Sequence, residues 1–251
     1  MSASESVRPA KLSIIMPVYN ERATAAALIE RVLGLELPGL EKEVVIVEGN
    51  STDGTRELVR GYEGRPGVKI FYEERPRGKG AAVRTGLSLV TGDFILIQDG
   101  DLEYDPADIP RLLQPLLSGE TDVVFGSRVI TSPQHWQFRR FRGIERLYGF
   151  FVNLGGVLFT GLFNLLYGTR LTDGATMYKL FRAVDLKTLT LRSDGFDYDW
   201  ELSGKLAKQG RRFAEKPVFY KARSRAEGKK IRFWRDGVKV LAAILRYRFT
   251  D

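Results

Sequence analysis

A chain of 251 residues with 43% hydrophobic and 28% charged residues is large enough to bury its own core without covalent staples. It has no cysteine, which excludes disulfides, thiolate metal centres and a cysteine nucleophile, and a single histidine, His135, which leaves almost no material for a His-rich zinc site or a Ser-His-Asp triad. The net charge of +8 is uneven: Lys205–Arg248 alone carries +12, leaving −4 elsewhere, a balance that suggests an anionic partner such as phosphate, anionic lipid or nucleic acid.

Met1–Ser6 has no basic stretch followed by an apolar run, so no signal peptide is expected. Four apolar runs then read as buried strands: Leu12–Pro17, Val44–Glu48, Val68–Tyr72 and Phe94–Gln98, with Val123–Phe125 as a fifth. Helix-compatible stretches lie between them at 22–34, 55–62, 80–90 and 107–117. That alternation predicts βαβ units and a mostly parallel sheet flanked by helices. The longest uncharged run, Leu147–Thr169, has the length of a membrane span but holds five glycines and two asparagines. A crossing there would also separate motifs that must share one site, so buried or interfacial helices are expected. Beyond it come Leu171–Phe181, a helix near 199–209, a strand at 212–219 and a terminal basic helix from about 231. The terminal helix carries an apolar stripe, Trp234, Val238, Leu241 and Leu245, flanked by Arg235, Lys239 and Arg246. Packing of that stripe on the core is the favoured reading, and docking at an anionic membrane surface the alternative.

In a parallel sheet ligands bind beyond the carboxyl ends of the strands. Three polar loops leave those ends: Pro17–Glu21, Glu48–Thr55 and Asp99–Glu103. Asp99 and Asp101 are two residues apart in extended chain, so their carboxylates point the same way and suit Mg²⁺ or Mn²⁺ with substrate phosphates. Gly100 between them allows a phosphate close to the backbone. Ser51–Thr55 has the composition of a helix cap and tight turn, which leaves Glu48 as that loop's ligand candidate. Arg77-Gly78-Lys79-Gly80 is read as a possible phosphate cradle at a helix start, although it matches neither a dinucleotide fingerprint nor a Walker A sequence.

In order and spacing, Pro17–Glu21, Asp53-Gly54-Thr55, Gly78-Lys79-Gly80, Asp99-Gly100-Asp101, Phe125-Gly126-Ser127-Arg128, Leu171-Thr172-Asp173 and Glu227–Ile231 resemble glycosyltransferase family 2, in particular the dolichyl- or polyprenyl-phosphate sugar synthases. The resemblance runs from about Leu12 to Phe249. It implies a single α/β domain of GT-A fold over residues 1–251: a Rossmann-like nucleotide half (about 11–127) and an acceptor half (about 128–251). It further implies that Pro17, Tyr19, Glu21 and Glu48 hold base and ribose, and that Asp99, Asp101 and Glu103 hold the metal. Lys79, Asp99, Arg223 and Lys230 would contact the nucleotide-sugar, and Arg128 and Arg140 the acceptor phosphate. Asp173 and Glu201 would lie near the sugar, joining Asp101 as the catalytic set. Many relatives carry a second acid where this chain has Gly49, which leaves uracil and guanine both open.

The expected activity is inverting, metal-dependent transfer of a hexose from a UDP- or GDP-sugar to a polyprenyl phosphate, by a cytoplasmic protein with peripheral contact at the cytoplasmic membrane face. A phosphate monoester is already anionic near neutral pH, so it needs arginines to hold it more than a base to deprotonate it; Arg128, Arg139, Arg140 and Arg142 are the candidates. The rivals are the same fold acting on a soluble glycan or small alcohol, and a basic nucleic-acid-binding protein. The second leaves the acidic loops unexplained, and no nucleic-acid partner is expected.

Overall fold

The computed structural model describes residues 9–131, 145–223 and 233–250. Its elements in chain order are β1 (Ala10–Val18), α1 (Ala25–Leu33), β2 (Leu40–Glu48), α2 (Thr55–Arg60), β3 (Val68–Tyr72), α3 (Lys79–Leu89), β4 (Phe94–Ile97), α4 (Ile109–Leu117) and β5 (Val123–Ser127). There follow α5 (Glu145–Tyr167), β6 (Lys179–Arg182), α6 (Ala183–Lys187), α7 (Tyr198–Lys208), β7 (Phe213–Pro217) and α8 (Phe233–Phe249).

Seven strands form one sheet in the order β3-β2-β1-β4-β6-β5-β7. β1 to β4 are parallel to one another, β7 is parallel to β5, and β6 runs antiparallel between β4 and β5. The central strands are mostly apolar because both sheet faces are covered, and alternate residues supply two cores. Leu12, Ile14, Val44, Ile46, Leu96 and Val124 face one core; Ile15, Val45, Ile95, Ile97 and Phe125 face the other.

The helices covering the first core repeat their apolar residues at helical spacing. Ala25, Leu28, Ile29 and Val32 of α1, and Ile109, Leu112, Leu113 and Leu116 of α4, are all buried at i, i+3, i+4 and i+7. Val83 of α3, Phe163 of α5, Leu202 and Leu206 of α7, and Ile244 of α8 close the second.

The 145–167 stretch is one helix. It contains Gly149–Tyr167, long and apolar enough to cross a bilayer by length and composition, with mean hydropathy 1.6. A single crossing is incompatible with the sheet: β5 precedes the helix and β6 follows it, yet Val123–Phe125 pairs with Phe181–Lys179. Asn153, Thr160 and Phe163 face the protein, whereas Leu147, Phe150, Leu154, Leu158 and Leu165 are exposed. α8 lies alongside: Tyr167 Oη donates to the Ile244 carbonyl at 2.9 Å and Arg248 Nε to that of Leu166 at 2.7 Å.

The terminal apolar stripe does not pack as expected. Val238, Leu241 and Leu245 are exposed, and α8 buries the adjacent strip, Ala243, Ile244 and Tyr247. The bulkier stripe stays accessible, with Val238 and Leu241 along a cavity wall. The side chain of Trp234 lies outside the described residues.

Candidate active site

Three strand-end loops meet beyond the C-terminal edge of β1, β2 and β4, and each bends through a non-glycine residue in left-handed conformation: Asn20 (φ 49°), Asn50 (φ 62°) and Leu102 (φ 56°). For Leu102 that conformation costs roughly 1–2 kcal/mol. The turn it makes brings the Glu103 amide to Asp101 Oδ1 at 3.1 Å. The second loop clamps the first. Ser51 Oγ accepts from the Asn20 amide, Asn20 Oδ1 from the Thr52 amide, and Thr55 Oγ1 from the Glu21 amide, each at 2.9 Å. Asp53 accepts the Thr55 amide at 3.0 Å and Gly54 takes φ 91°, the capping turn expected there. Thr24 Oγ1 then ties the first loop to the third through the Gly100 carbonyl at 2.8 Å.

The loops open on a cavity of about 1560 Å³. Pro17, Tyr19, Glu21, Lys79, Asp99, Asp101, Glu103, Arg128 and Arg223 line it together. Its opposite wall is apolar and comes from Phe151, Val152 and Phe159 of α5, Trp200 of α7, and Val238, Val240 and Leu241 of α8. Gly100 also faces the cavity; a Cβ there would meet nothing in the protein closer than Glu21 Cγ at 3.5 Å, so packing does not require the glycine.

Charge in the acidic loop is finely apportioned. The Lys79 ammonium sits against Asp99. Arg223 donates to Asp101 Oδ2 at 2.8 Å and to both carboxylate oxygens of Glu21 at 2.8 and 3.2 Å. Glu103 accepts from the Arg223 amide at 2.8 Å and from Tyr220 Oη at 2.9 Å. Burial, then the negative charges of Asp99 and Glu103, push Asp101 up to about 6 against the pull of Arg223. Among the described residues no cluster of three acidic, histidine or cysteine side chains stands ready to hold a metal. The aspartate pair, hard oxygens on an open cavity, could supply part of a Mg²⁺ or Mn²⁺ shell that phosphate oxygens and water would complete.

Several expected site residues serve the loops rather than the cavity. Glu48 is fully buried, accepting the Ser51 amide at 2.7 Å and the Asn50 amide at 3.2 Å with Arg56 at 3.4 Å, and it does not line the cavity. Glu201 is likewise fully buried and holds the amides of Arg192 at 2.9 Å and Ser193 at 2.7 Å, with Lys205 at 2.9 Å. These bonds hold its carboxyl below its ordinary value against the cost of burial. Asp173 makes a bidentate pair with Arg128, both bonds 2.7 Å, and is buried. The helix start after Gly78 is no phosphate cradle, because the Asp194 carbonyl already takes the Gly80 and Ala81 amides at 2.8 and 3.4 Å. Its glycines permit that packing: a Cβ on Gly78 or Gly80 would lie 2.4 Å from Asp194 O or 2.3 Å from Ser193 O. Arg139, Arg140, Arg142, Lys230 and the Glu227–Ile231 motif lie outside the described residues.

Glu201→Gln tests the structural assignment. It removes a charge-assisted acceptor from buried amides, so we expect a loss of about 1.5–3 kcal/mol in stability, measured by urea unfolding, with turnover per folded molecule within about twofold of wild type. A variant of unchanged stability and lost turnover would return Glu201 to the chemistry.

Sequence reasoning missed an aromatic column under the acidic loop. Tyr104 stacks on Tyr178 at 4.9 Å and meets Tyr220 at 5.0 Å, and the Arg128 guanidinium lies 5.1 Å from the Tyr220 ring centre. Tyr104 follows Glu103 directly, a usable signal; nothing local marks Tyr220.

The family model for glycosyl transferase family 2 matches residues 13–185, well over half of the chain and all three loops. The chain belongs to that family. A dolichol-phosphate mannosyltransferase of Pyrococcus furiosus is 33% identical over 132 residues, covering 52% of this chain and 37% of the relative. A dodecaprenyl-phosphate galacturonate synthase of Rhizobium johnstonii is 28% identical over 194 residues, 76% of this chain and 53% of the relative. The chain thus spans about half or less of the length of these two relatives. Glycosyltransferase AglJ of Haloferax volcanii is 28% identical over 246 residues, 97% of this chain and 74% of the relative. Among solved structures, glucosyl-3-phosphoglycerate synthase of Mycobacterium tuberculosis, crystallised with Mn²⁺, UDP and phosphoglyceric acid, aligns over 96% of this chain and 80% of its own at TM-score 0.69 and 19% identity. That likeness is one of fold: the family 2 chain has the GT-A architecture.

Proposed function

We propose that this family 2 enzyme moves a hexose from a UDP- or GDP-sugar to a polyprenyl phosphate, with inversion and with Mg²⁺ or Mn²⁺ bound at Asp99 and Asp101. One observation carries the reading: a single cavity joins the carboxylate pair at the strand ends to the apolar wall of α5 and α8. An acceptor with an anionic head and a long apolar tail matches both ends. The relatives named for dolichol-phosphate and dodecaprenyl-phosphate substrates support the same class.

The steps assigned to the chain are simple ones. Pro17, Tyr19 and Glu21, which line the cavity, would form its nucleotide end. An acceptor phosphate oxygen, already ionised, attacks the anomeric carbon from the face opposite the diphosphate, so little proton abstraction is needed. A cation between the aspartates and the diphosphate would neutralise charge that grows as the nucleotide leaves. Arg128, held by Asp173 and facing the cavity, lends positive potential to the acceptor phosphate. Incubating the enzyme with UDP- and GDP-hexoses, each metal, and either polyprenyl phosphate or soluble sugars tests the reading. A lipid-linked sugar is the expected product; transfer only to a soluble sugar would sink the lipid assignment in favour of the soluble-acceptor rival.

Membrane contact follows the same logic. The outer face of α5 exposes Leu147, Phe150, Leu154, Leu158 and Leu165, and exposed Arg235, Lys239 and Arg246 accompany the exposed stripe of α8. Apolar insertion flanked by cations suits an anionic bilayer surface. We expect the protein to pellet with phosphatidylglycerol-containing vesicles, and Leu158→Glu combined with Leu165→Glu to lower the bound fraction about tenfold. Equal pelleting of both proteins would rule this face out.

A further inference from the structure

The cation seat already holds a positive charge supplied by the chain itself. Asp101 has both oxygens engaged, Oδ1 by the Glu103 amide at 3.1 Å and Oδ2 by Arg223 at 2.8 Å. The same guanidinium spans to Glu21 on the β1 loop. Arg223 reaches the seat because its own segment is tied to the acidic loop. Tyr220 and Tyr104 form a β-bridge, the Lys221 amide donates to the Glu103 carbonyl at 2.8 Å, and the Arg223 amide donates to Glu103 Oε1 at 2.8 Å. The side chain is thus delivered by backbone pairing, and it is largely buried between carboxylates of two different loops. Its Nε has no hydrogen-bond partner among the described residues, with Glu103 Oε1 at 3.9 Å.

We propose that Arg223 is a built-in counter-cation which excludes a free divalent ion from Asp101 and yields its place when a nucleoside diphosphate arrives. A divalent ion binding Asp101 by itself must strip off the guanidinium and strand it, buried, beside the incoming double charge. A diphosphate removes that penalty, because its oxygens offer the guanidinium new planar, charge-assisted partners while they complete the metal's shell. Metal binding is therefore coupled to donor binding, and reciprocally so. The coupling would keep an idle ion from the seat and would give the leaving diphosphate two cations in place of one. The idea rests on the proposed metal role of Asp101 and adds to it a gate that nothing in that role requires.

The test is Mn²⁺ titration of the whole protein followed by electron paramagnetic resonance, without sugar or acceptor. Wild type is expected to bind Mn²⁺ alone weakly and at least about tenfold more tightly with UDP or GDP present. Arg223→Gln should tighten the binding of Mn²⁺ alone by about tenfold and shrink the gain from nucleotide. Arg223→Lys keeps the charge but cannot bridge Glu21 and Asp101 through a planar fork, so it should fall between the two; either variant carries the test if the other does not fold. Unchanged or weaker binding of Mn²⁺ alone in the variants overturns the gate, and the metal role of Asp101 survives that result if Mn²⁺ still binds with nucleotide. If Asp101→Asn binds Mn²⁺ with nucleotide as tightly as wild type, both ideas fall.

Discussion

Asp101→Ala is expected to lower the rate of sugar transfer by about 100- to 1000-fold, the loss typical when a group stabilising transition-state charge is removed. The fall should appear in kcat, since the negative charge on the departing diphosphate grows only as the glycosidic bond breaks. The fold should persist. Asp101 lies in a loop, and its two acceptances, from the Glu103 amide at 3.1 Å and from Arg223 at 2.8 Å, are a small part of the network that clamps the three loops. Full turnover in the variant would remove the metal assignment.

The same residue sets a dependence of stability on pH. Its carboxyl in the folded protein titrates at about 6 against an ordinary 3.8, raised by burial first and then by Asp99 and Glu103. The folded state therefore binds this proton more strongly than the unfolded chain does. Stability from the protonated group is complete below the unfolded value and is lost as pH rises through about 6. At pH 8 the ionised carboxylate works against the fold, so Asp101→Asn should melt higher than wild type there without metal, with the gap closing near pH 4. Each kcal/mol recovered corresponds to about 2–4 °C for a chain of this size. A variant melting lower at pH 8 would contradict the sign.

Asp173→Ala should have the largest effect on stability. Asp173 and Arg128 are both buried, their side chains 3% and 4% exposed, and joined by two parallel bonds of 2.7 Å. The Arg128 amide also donates to Asp173 at 3.0 Å, and Glu215 fixes the Asp173 amide at 2.9 Å. Removing one member of a buried pair leaves an uncompensated charge and costs roughly 3–5 kcal/mol, a fall in Tm on the order of 10 °C. Replacing both residues by Met and Leu should recover much of that loss, because the stranded charge goes with them. An Asp173→Ala protein that melts with wild type but fails to transfer sugar would instead place Asp173 at the reacting sugar.

The parallel half of the sheet was legible because strands covered on both faces appear as unbroken apolar runs, as at Ile14–Met16 and Val44–Val47. The carboxylate pair was legible from its position at a strand end. β6 was not. Its four residues begin with Lys179, a charged residue that is fully buried against Asp199, with its ammonium 4.3 Å from the Phe125 ring centre. No composition rule places such a lysine mid-sheet. Nor does residue type reveal that Glu48 and Glu201 take backbone amides as partners in the fold. Arg223 meets Asp101 across 122 positions of sequence, a juxtaposition that only the fold creates. On α8 two apolar strips compete for the core, and helical periodicity does not rank them.

The insertion of β6 between β4 and β5 bears on how the chain assembles. β4 and β5 are separated by a short 3₁₀ turn and α4, yet they do not pair; each presents an open edge until a strand more than fifty residues downstream of β5 arrives to bridge them. On a ribosome the nucleotide half would emerge with both edges unsatisfied, a sticky intermediate that holdase chaperones would have to shield. The late strand is brief and begins with a buried ammonium, so it has little affinity for strangers, and its specificity lies in the Asp199 carboxylate waiting on α7.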